Sequence, residues 1–209
     1  MELTVAQAAA QHGRTERFVQ LALQTGDLPA LRRIGRVTLF DDVAATAWSR
    51  SLARGRRWSQ EVATAALDLL TSGRTERLSS SERSRLRARL RTMSARDIAH
   101  AAGGIGGGWG RYRVTRLPGL DMIGPSRVDE AELGIVPGAG WMNFAQTEDL
   151  DAFELENDAV LDADGDLGVI ERPGVDDRLA RVLLDTYLLA DARLSAVAAT
   201  ELERRAHGL

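Results

Sequence analysis

The sequence predicts a mostly α-helical protein with small β elements, and three observations support this fold class. Apolar residues recur at helical spacing through much of the chain. Side chains that cap helices precede these periodic runs, and short extended runs bounded by glycine or proline lie between them. Of the 209 residues, 44% are hydrophobic but only 5% are aromatic, which predicts a modest core rich in alanine and leucine.

Two short helices are predicted at the start of the chain. Thr4 can cap the first helix, and Gly13 ends it. Thr15 offers its side-chain oxygen to the free N–H groups of the second helix, where Val19 and Ala22 belong to the buried stripe. The polar side chains that point outward around this second helix are Arg14, Arg17, Gln20 and Gln24.

A strand pair with a basic turn is predicted next. Gly26 is placed to end the second helix in a left-handed conformation, and Pro29 starts an extended segment. The apolar positions of the strand pair are Leu31, Ile34, Val37 and Leu39. Ile34-Gly35-Arg36 is typical of a tight turn between strands. The arginines at or near its tip are Arg32, Arg33 and Arg36.

A third helix, capped by Asp41 or Asp42, is predicted to run to about Trp48. The first two helices thus form a helix-turn-helix, the strand pair forms a basic wing, and the third helix follows the wing. This arrangement closely resembles the excisionase and MerR-like winged helix-turn-helix family. The resemblance covers roughly the first fifty residues. It is carried by Thr15-Glu16-Arg17, by Gly26 through Ala30, by Ile34-Gly35-Arg36 and by Asp42 through Trp48.

Members of that family place the second helix in the major groove of double-stranded DNA, while the wing reaches phosphates or the minor groove. The resemblance implies that the residues facing base edges or phosphates are Arg14, Thr15, Arg17, Gln20 and Gln24. It implies that the residues holding the flanking DNA backbone are Arg32, Arg33 and Arg36. Since an isolated winged domain usually needs a second copy to reach useful specificity, a homodimer is a further expectation.

Composition excludes several kinds of site. The chain has no cysteine, so disulfides, thiolate metal sites and a cysteine nucleophile are excluded. All 27 basic residues are arginine, which excludes a Walker lysine and a Schiff-base lysine. The sequence shows no signal peptide and no long apolar run, and we therefore expect a cytoplasmic protein with no membrane partner.

The formal net charge of −3 conceals opposite charges in the two halves of the chain. Residues 1–116 contain 20 arginines and 10 acids, whereas residues 117–209 contain 7 arginines and 20 acids. A basic half suits phosphate and an acidic half suits a basic partner, although either can be a solvated face. We predict a DNA-binding domain at 1–52, a basic helical connector at 53–104 and an acidic α+β domain at 105–209 for partner binding or assembly.

Helices are predicted throughout the connector. One spans Ser59 to Leu70, and two capping boxes open the next two, Ser79 with Glu82 and Ser94 with Asp97. The middle helix exposes a dense positive surface formed by Arg83, Arg85, Arg87, Arg89 and Arg91. Because like charges at this spacing repel, the surface fits either nucleic acid or an acidic protein surface opposite it.

Two further segments of the chain resemble ligand-binding loops, but their sequences do not support that assignment. The glycine-rich run 103–110 lacks the preceding strand and the Gly-Lys-Ser/Thr of a phosphate loop, so we interpret it as a flexible hinge at a boundary near residue 105. Aspartates at 162–166 fit the first ligands of a calcium loop. Leu167 and Pro173 occupy the positions that need glycine and glutamate, and a hairpin with an Asp-Gly turn is predicted instead.

The remainder of the acidic half contains no candidate catalytic site. A helix is predicted after Asp176 and Asp177, which lie at its positive end, and a last helix runs from Ser195 to Ala206. The three histidines are scattered along the chain, at His12, His100 and His207. With no nucleophile, base and orienting acid in a recognisable pattern, we predict no enzyme activity, no metal and no cofactor.

Short motifs along the chain are similar to those of actinobacterial AbiEi-like antitoxins. They are Arg54 to Ser59, Ala65 to Leu70, Leu78 to Arg87, Arg111-Tyr112-Arg113 and Asp162 to Val169. The resemblance implies a repressor of its own promoter whose C-terminal domain neutralises a nucleotidyltransferase-type toxin. The alternative is an excisionase-like architectural protein of a mobile element, and a third class is an enzyme with a DNA-targeting module.

Overall fold

The computed structural model describes residues 1–115, 119–131, 142–174 and 176–209. Within these ranges helices contain more residues than strands, and the strands form two small sheets. The predicted fold class, mostly α with small β elements, is confirmed at this level of detail.

Residues 1–50, all of which are described, form three helices around a small sheet. The elements are β1 (Glu2–Thr4), α1 (Val5–Gln11), α2 (Glu16–Gln24), β2 (Arg32–Ile34), β3 (Val37–Asp41) and α3 (Asp42–Arg50). The sheet is antiparallel with the order β1-β3-β2. Thr4 and Thr15 cap α1 and α2 as predicted, and Asp41 rather than Asp42 caps α3.

The connector folds into the helices α4 (Gln60–Ser72), α5 (Ser80–Leu90) and α6 (Ala95–Ala101). Each begins after a serine whose hydroxyl oxygen accepts a hydrogen bond from a backbone N–H of the first turn, namely Ser59, Ser79 and Ser94. Glu82 and Asp97 complete the two predicted capping boxes. Local capping therefore sets the start of all three helices.

A second, mixed sheet follows the connector helices. Its strands are β4 (Trp109–Arg113), β5 (Asp121–Met122), β6 (Asn143–Thr147), β7 (Val160–Leu161) and β8 (Leu167–Glu171). The order is β5-β6-β8-β4-β7, with β6 and β8 parallel and the other pairs antiparallel. A 3-10 helix (Gly124–Ala131) follows β5, and α7 (Leu150–Glu156) follows β6.

The hairpin predicted around Asp164-Gly165 is wrong in its pairing. Strands β7 and β8, which flank this turn, do not pair with each other, because β4 lies between them and pairs with both. The chain still turns tightly, since the N–H of Gly165 donates to the carbonyl of Asp162. A Cβ on Gly165 would lie 2.3 Å from the carbonyl oxygen of Tyr112, so the turn packs directly on β4.

The last helices are α8 (Leu179–Leu189) and α9 (Ala192–His207), and α8 is buried along nearly its whole length. Asp176 and Asp177 do not cap α8, and the carboxylate of Asp176 instead accepts hydrogen bonds from Arg178. Helix α9 begins earlier than predicted because Asp191 caps it by accepting a hydrogen bond from the N–H of Leu194, at 2.8 Å.

One hydrophobic core joins the connector helices to the second sheet and to α8 and α9. Its buried members include Leu69 of α4, Ile98 of α6, Phe144 of β6, Leu183 of α8 and Leu202 of α9. The proposed domain boundaries at residues 52 and 104 stay predictions, but hydrophobic packing is continuous across residue 104.

The prediction of a flexible hinge at 103–110 is wrong, because this segment is packed. Ile105 and Trp109 are buried in the core just described. A Cβ on Gly107 would lie 1.9 Å from the carbonyl oxygen of Glu171, which leaves room only for glycine. Gly107 and Gly108 allow the chain to approach Glu171 at the end of β8 closely.

Candidate nucleic-acid interface

One face of α2 presents polar side chains to solvent. Arg17, Gln20 and Gln24 are exposed at helical spacing, with Leu21 between them at 55% exposure. The opposite face is buried against α1 and α3, and Val19 is fully covered. Within the described residues, the three polar side chains make no hydrogen bond or ion pair, so their donors and acceptors are available to a ligand.

The start of α2 carries a stacked arginine. The Arg14 guanidinium lies 5.5 Å from the centre of the Phe18 ring, which itself lies 5.8 Å from the ring of Trp48. Thr15 caps the helix by accepting a hydrogen bond from the N–H of Phe18, at 3.2 Å. Phe18 was not predicted as a site residue, although its position four residues after Arg14 gives a signal for such a stack.

The β2–β3 hairpin has a two-residue turn at Gly35 and Arg36, with Gly35 at φ +59°. Arg33 and Arg36 are exposed, and in the described part of the chain their side chains have no hydrogen-bond or ion-pair partner. Ile34 and Val37, interpreted as apolar strand positions, are 56% and 49% exposed. The hairpin tip extends beyond the core, so two apolar side chains accompany its arginines.

Arg32 differs from the other hairpin arginines because it is already paired. Its Nε and Nη2 donate to the two carboxylate oxygens of Glu2, at 2.6 and 2.9 Å. These hydrogen bonds and the Glu2 charge raise the pKa of Arg32. The pair ties β2 to β1 across β3, so Arg32 is less available to a phosphate than Arg33 or Arg36.

The hydrophobic cluster that supports α2 and the β2–β3 hairpin consists of buried side chains of the N-terminal region. Leu28, Phe40 and Trp48 are almost completely buried among α1, α2, α3 and the small sheet. One oxygen of Asp41 accepts from the N–H of Val43 at 2.9 Å, and the other accepts from Arg111 of β4 at 3.1 Å.

Burial raises the pKa of the Asp41 carboxyl, and the neighbouring Asp42 charge adds to this, against the opposing effect of Arg111. Asp41 therefore both caps α3 and links the N-terminal part to the second sheet.

A second charged group is formed by Arg181 and Asp185 of α8 together with Arg172, just after β8. Asp185 is 1% exposed and accepts hydrogen bonds from Arg172 at 2.7 and 3.0 Å and also from Arg181. Burial by itself would raise the pKa of Asp185, but the two guanidiniums outweigh it and the pKa is lowered. The i,i+4 spacing of Arg181 and Asp185 is also that of an ordinary surface pair, so a buried cluster could not be recognised from the spacing alone.

Histidine, aspartate and glutamate side chains of the described residues are possible metal ligands. In the ranges that the structure describes, no group of three or more histidine, aspartate or glutamate side chains is placed to hold a metal ion. His100 is held between the carbonyls of Ser51 and Gly55, at 3.2 and 3.0 Å. No helix in those same ranges is long and apolar enough to cross a membrane.

Comparison with known proteins gives no match to a family model, to a curated protein or to a solved structure. The geometry of α2 and the β2–β3 hairpin is therefore the basis for a functional proposal, together with the resemblance in the sequence.

Proposed function

We propose that this chain is a DNA-binding transcriptional regulator of the winged helix-turn-helix type. In this proposal α2 enters the major groove of double-stranded DNA, and the β2–β3 hairpin is the wing. The observation that carries it is the exposed α2 face, on which Arg17, Gln20 and Gln24 have no partner within the described chain. Arginine recognises guanine and glutamine recognises adenine through paired hydrogen bonds, so these side chains suit base edges.

The arginines outside this face are suited to phosphate. Arg33 and Arg36 are exposed on the hairpin, and Arg14 lies at the positive end of α2, where backbone N–H groups also favour an anion. Arg32 contributes less because Glu2 already binds it. The proposal thus assigns base contacts to α2 and backbone contacts to Arg14, Arg33 and Arg36.

A mobility-shift experiment tests the proposal. The purified chain is titrated against the DNA upstream of its own coding sequence and against a shuffled duplex of equal length, at about 150 mM salt, where non-specific binding is weak. We expect binding to the native duplex at much lower protein concentration. Absent binding, or equal binding to both duplexes, would refute a sequence-specific regulator.

The more detailed proposal is an autoregulating antitoxin that counters a nucleotidyltransferase-type toxin. It is supported by the sequence resemblance and by the surplus of acidic residues in 117–209, which suits a basic protein partner. Production of a nucleotidyltransferase encoded in the same operon should stop growth, and co-production of this chain should restore it. Growth arrest that this chain does not relieve would refute the antitoxin assignment while leaving DNA binding intact.

A further inference from the structure

A groove between the 56–59 segment and α5 combines an apolar floor with a basic rim. Its volume is about 610 Å³, and Trp58, Val62, Leu78 and Leu86 supply apolar lining. The basic lining residues are Arg56, Arg57, Arg85 and Arg89. Glu82 is the one acid among the lining residues, and its carboxylate is already hydrogen-bonded to Ser79.

The rim arginines differ in how far they are engaged. Arg57 pairs with Asp27, and the Arg89 guanidinium lies 5.7 Å from the centre of the Trp58 ring. Arg85 donates only to the carbonyl of Ser81, at 3.3 Å, and Arg56 has no hydrogen-bond or ion-pair partner among the described residues. Arg56, Arg85 and Arg89 therefore keep a positive charge that no carboxylate of the described chain neutralises by direct pairing.

The other arginines of α5 do not share this role. Arg83 donates to the carbonyl of Thr75 at 2.9 Å, and Arg87 donates to the carbonyl of Gly73 at 2.6 Å. Both side chains therefore stabilise the loop between α4 and α5 by hydrogen bonds to its carbonyl groups. The broad positive surface predicted for α5 is thus divided into a structural pair and a groove-lining pair, Arg85 and Arg89, that has no carboxylate partner by direct pairing in the described chain, while Arg91 is exposed just beyond the helix.

A surface with the opposite properties lies on α7. Leu155 is 83% exposed, the highest exposure among the large apolar side chains of the described residues. Asp151 lies one turn before it, Glu156 adjoins it and Asp158 follows, and all three acids are exposed without a hydrogen bond or ion pair in the described ranges. An exposed apolar side chain beside carboxylates without a partner in the described chain matches an apolar groove whose arginines Arg56, Arg85 and Arg89 have no carboxylate partner by direct pairing there.

We propose that copies of this chain associate head to tail, with Leu155 and its acidic surround seated in the Arg56–Arg85–Arg89 groove of the next copy. The two surfaces lie on different elements of one molecule, so the contact is heterologous and can continue beyond a dimer. A groove of this size gives a small contact surface, and we expect weak, salt-sensitive association. A nucleic-acid backbone is less suited, because it offers phosphates to the rim but nothing apolar to the floor.

Sedimentation equilibrium of the full chain without DNA tests this proposal. At about 50 mM salt the average mass should rise with protein concentration, and at about 500 mM salt it should approach the monomer value, because salt screens the charges. A chain that stays monomeric at every concentration in low salt would overturn the proposal.

Charge-reversal variants identify the surfaces involved. R85E/R89E and D151R/E156R should each lose association alone, because each sets like charges against each other, and an equimolar mixture should regain it because the reversed surfaces complement each other. The control R91E/R96E reverses two exposed arginines outside the groove and should associate like the unaltered chain. Far-ultraviolet circular dichroism checks that every variant is folded.

Two results would overturn the pairing of these surfaces. One is a mixture of the two charge-reversed variants that remains monomeric. The other is unchanged association of R85E/R89E together with weakened DNA binding, which would assign the groove to nucleic acid. Association is measured without DNA. A chain that does not associate can therefore be distinguished from a chain that does not bind its promoter DNA.

Discussion

Arginine side chains serve different purposes on the N-terminal surface and around α8. On α2 and the hairpin, Arg17, Arg33 and Arg36 are exposed and have no carboxylate partner in the described chain. Around α8, Arg181 of that helix and Arg172, just after β8, are largely buried and share the carboxylate of Asp185. Since the sequence has no lysine, the partners of each guanidinium, a buried carboxylate here and backbone carbonyls for other arginines, distinguish a structural arginine from one available to a ligand.

The largest expected effect follows from removing the shared carboxylate. Asp185→Asn leaves the buried guanidiniums of Arg172 and Arg181 without their negative partner, and breaking a buried ion pair on one side costs about 3–5 kcal/mol. Urea unfolding should show this loss in the free energy of unfolding. As a control, Asp177→Asn removes an exposed carboxylate paired with Arg127 and should cost under about 1 kcal/mol. Similar losses in the free energy of unfolding for both variants would contradict the distinction between the buried carboxylate of Asp185 and the exposed carboxylate of Asp177.

The pH dependence of stability is a second test of the buried ion pairs of Asp185. Because the pKa of Asp185 is lowered in the folded chain, its contribution is fully present above the unfolded value of about 3.9 and is lost as pH falls through the folded value. Asp185→Asn should therefore lose less stability than the unaltered chain as the pH falls below about 4. Urea unfolding at several pH values measures this, and equal losses would be inconsistent with a lowered pKa.

Replacement of a base-contacting side chain should change sequence preference without changing the fold. Arg17→Ala or Gln20→Ala removes exposed groups, so stability should be nearly unchanged. Each lost base contact should weaken binding to the preferred duplex by about 1–3 kcal/mol and change binding to a shuffled duplex much less. Fluorescence anisotropy with both duplexes measures this, and equal weakening would indicate phosphate contacts instead.

The hairpin arginines should act on all sequences alike. Arg33→Ala/Arg36→Ala should weaken binding to both duplexes and reduce the slope of log affinity against log salt by about 0.9 for each lost phosphate contact. Arg32→Ala is the matched control, since Glu2 already holds that guanidinium, and a smaller change in slope is expected. An unaltered slope for the double variant would exclude the hairpin as a DNA-backbone contact.

The elements set by local chemistry could be predicted from the sequence. The caps at Thr4, Thr15, Ser79 and Ser94 lie where the spacing indicated, because a cap needs only a hydroxyl and the N–H groups of the next turn. The exposed positions of Arg14, Arg17, Gln20 and Gln24 also follow from helical periodicity alone.

The features that depend on distant segments could not be predicted in this way. Pairing of β7 with β4 rather than β8 depends on the order of strands in the sheet, and a local turn signal is the same in either arrangement. The bond between Arg32 and Glu2 joins residues 30 positions apart. Assignment of α2 and the hairpin to DNA remains a prediction that the binding experiments address.

The close packing of Gly107 and Gly108 against Glu171 has a mechanical consequence. The carbonyl of Gly108 accepts a hydrogen bond from the N–H of Glu171 at 3.0 Å, and a Cβ on either glycine would overlap Glu171. The segment between α6 and β4 is therefore held tightly against β8. A displacement of the connector helices would be transmitted to the sheet. Amide protons of α6 and of β8 should accordingly exchange with solvent through one shared opening event rather than two independent ones.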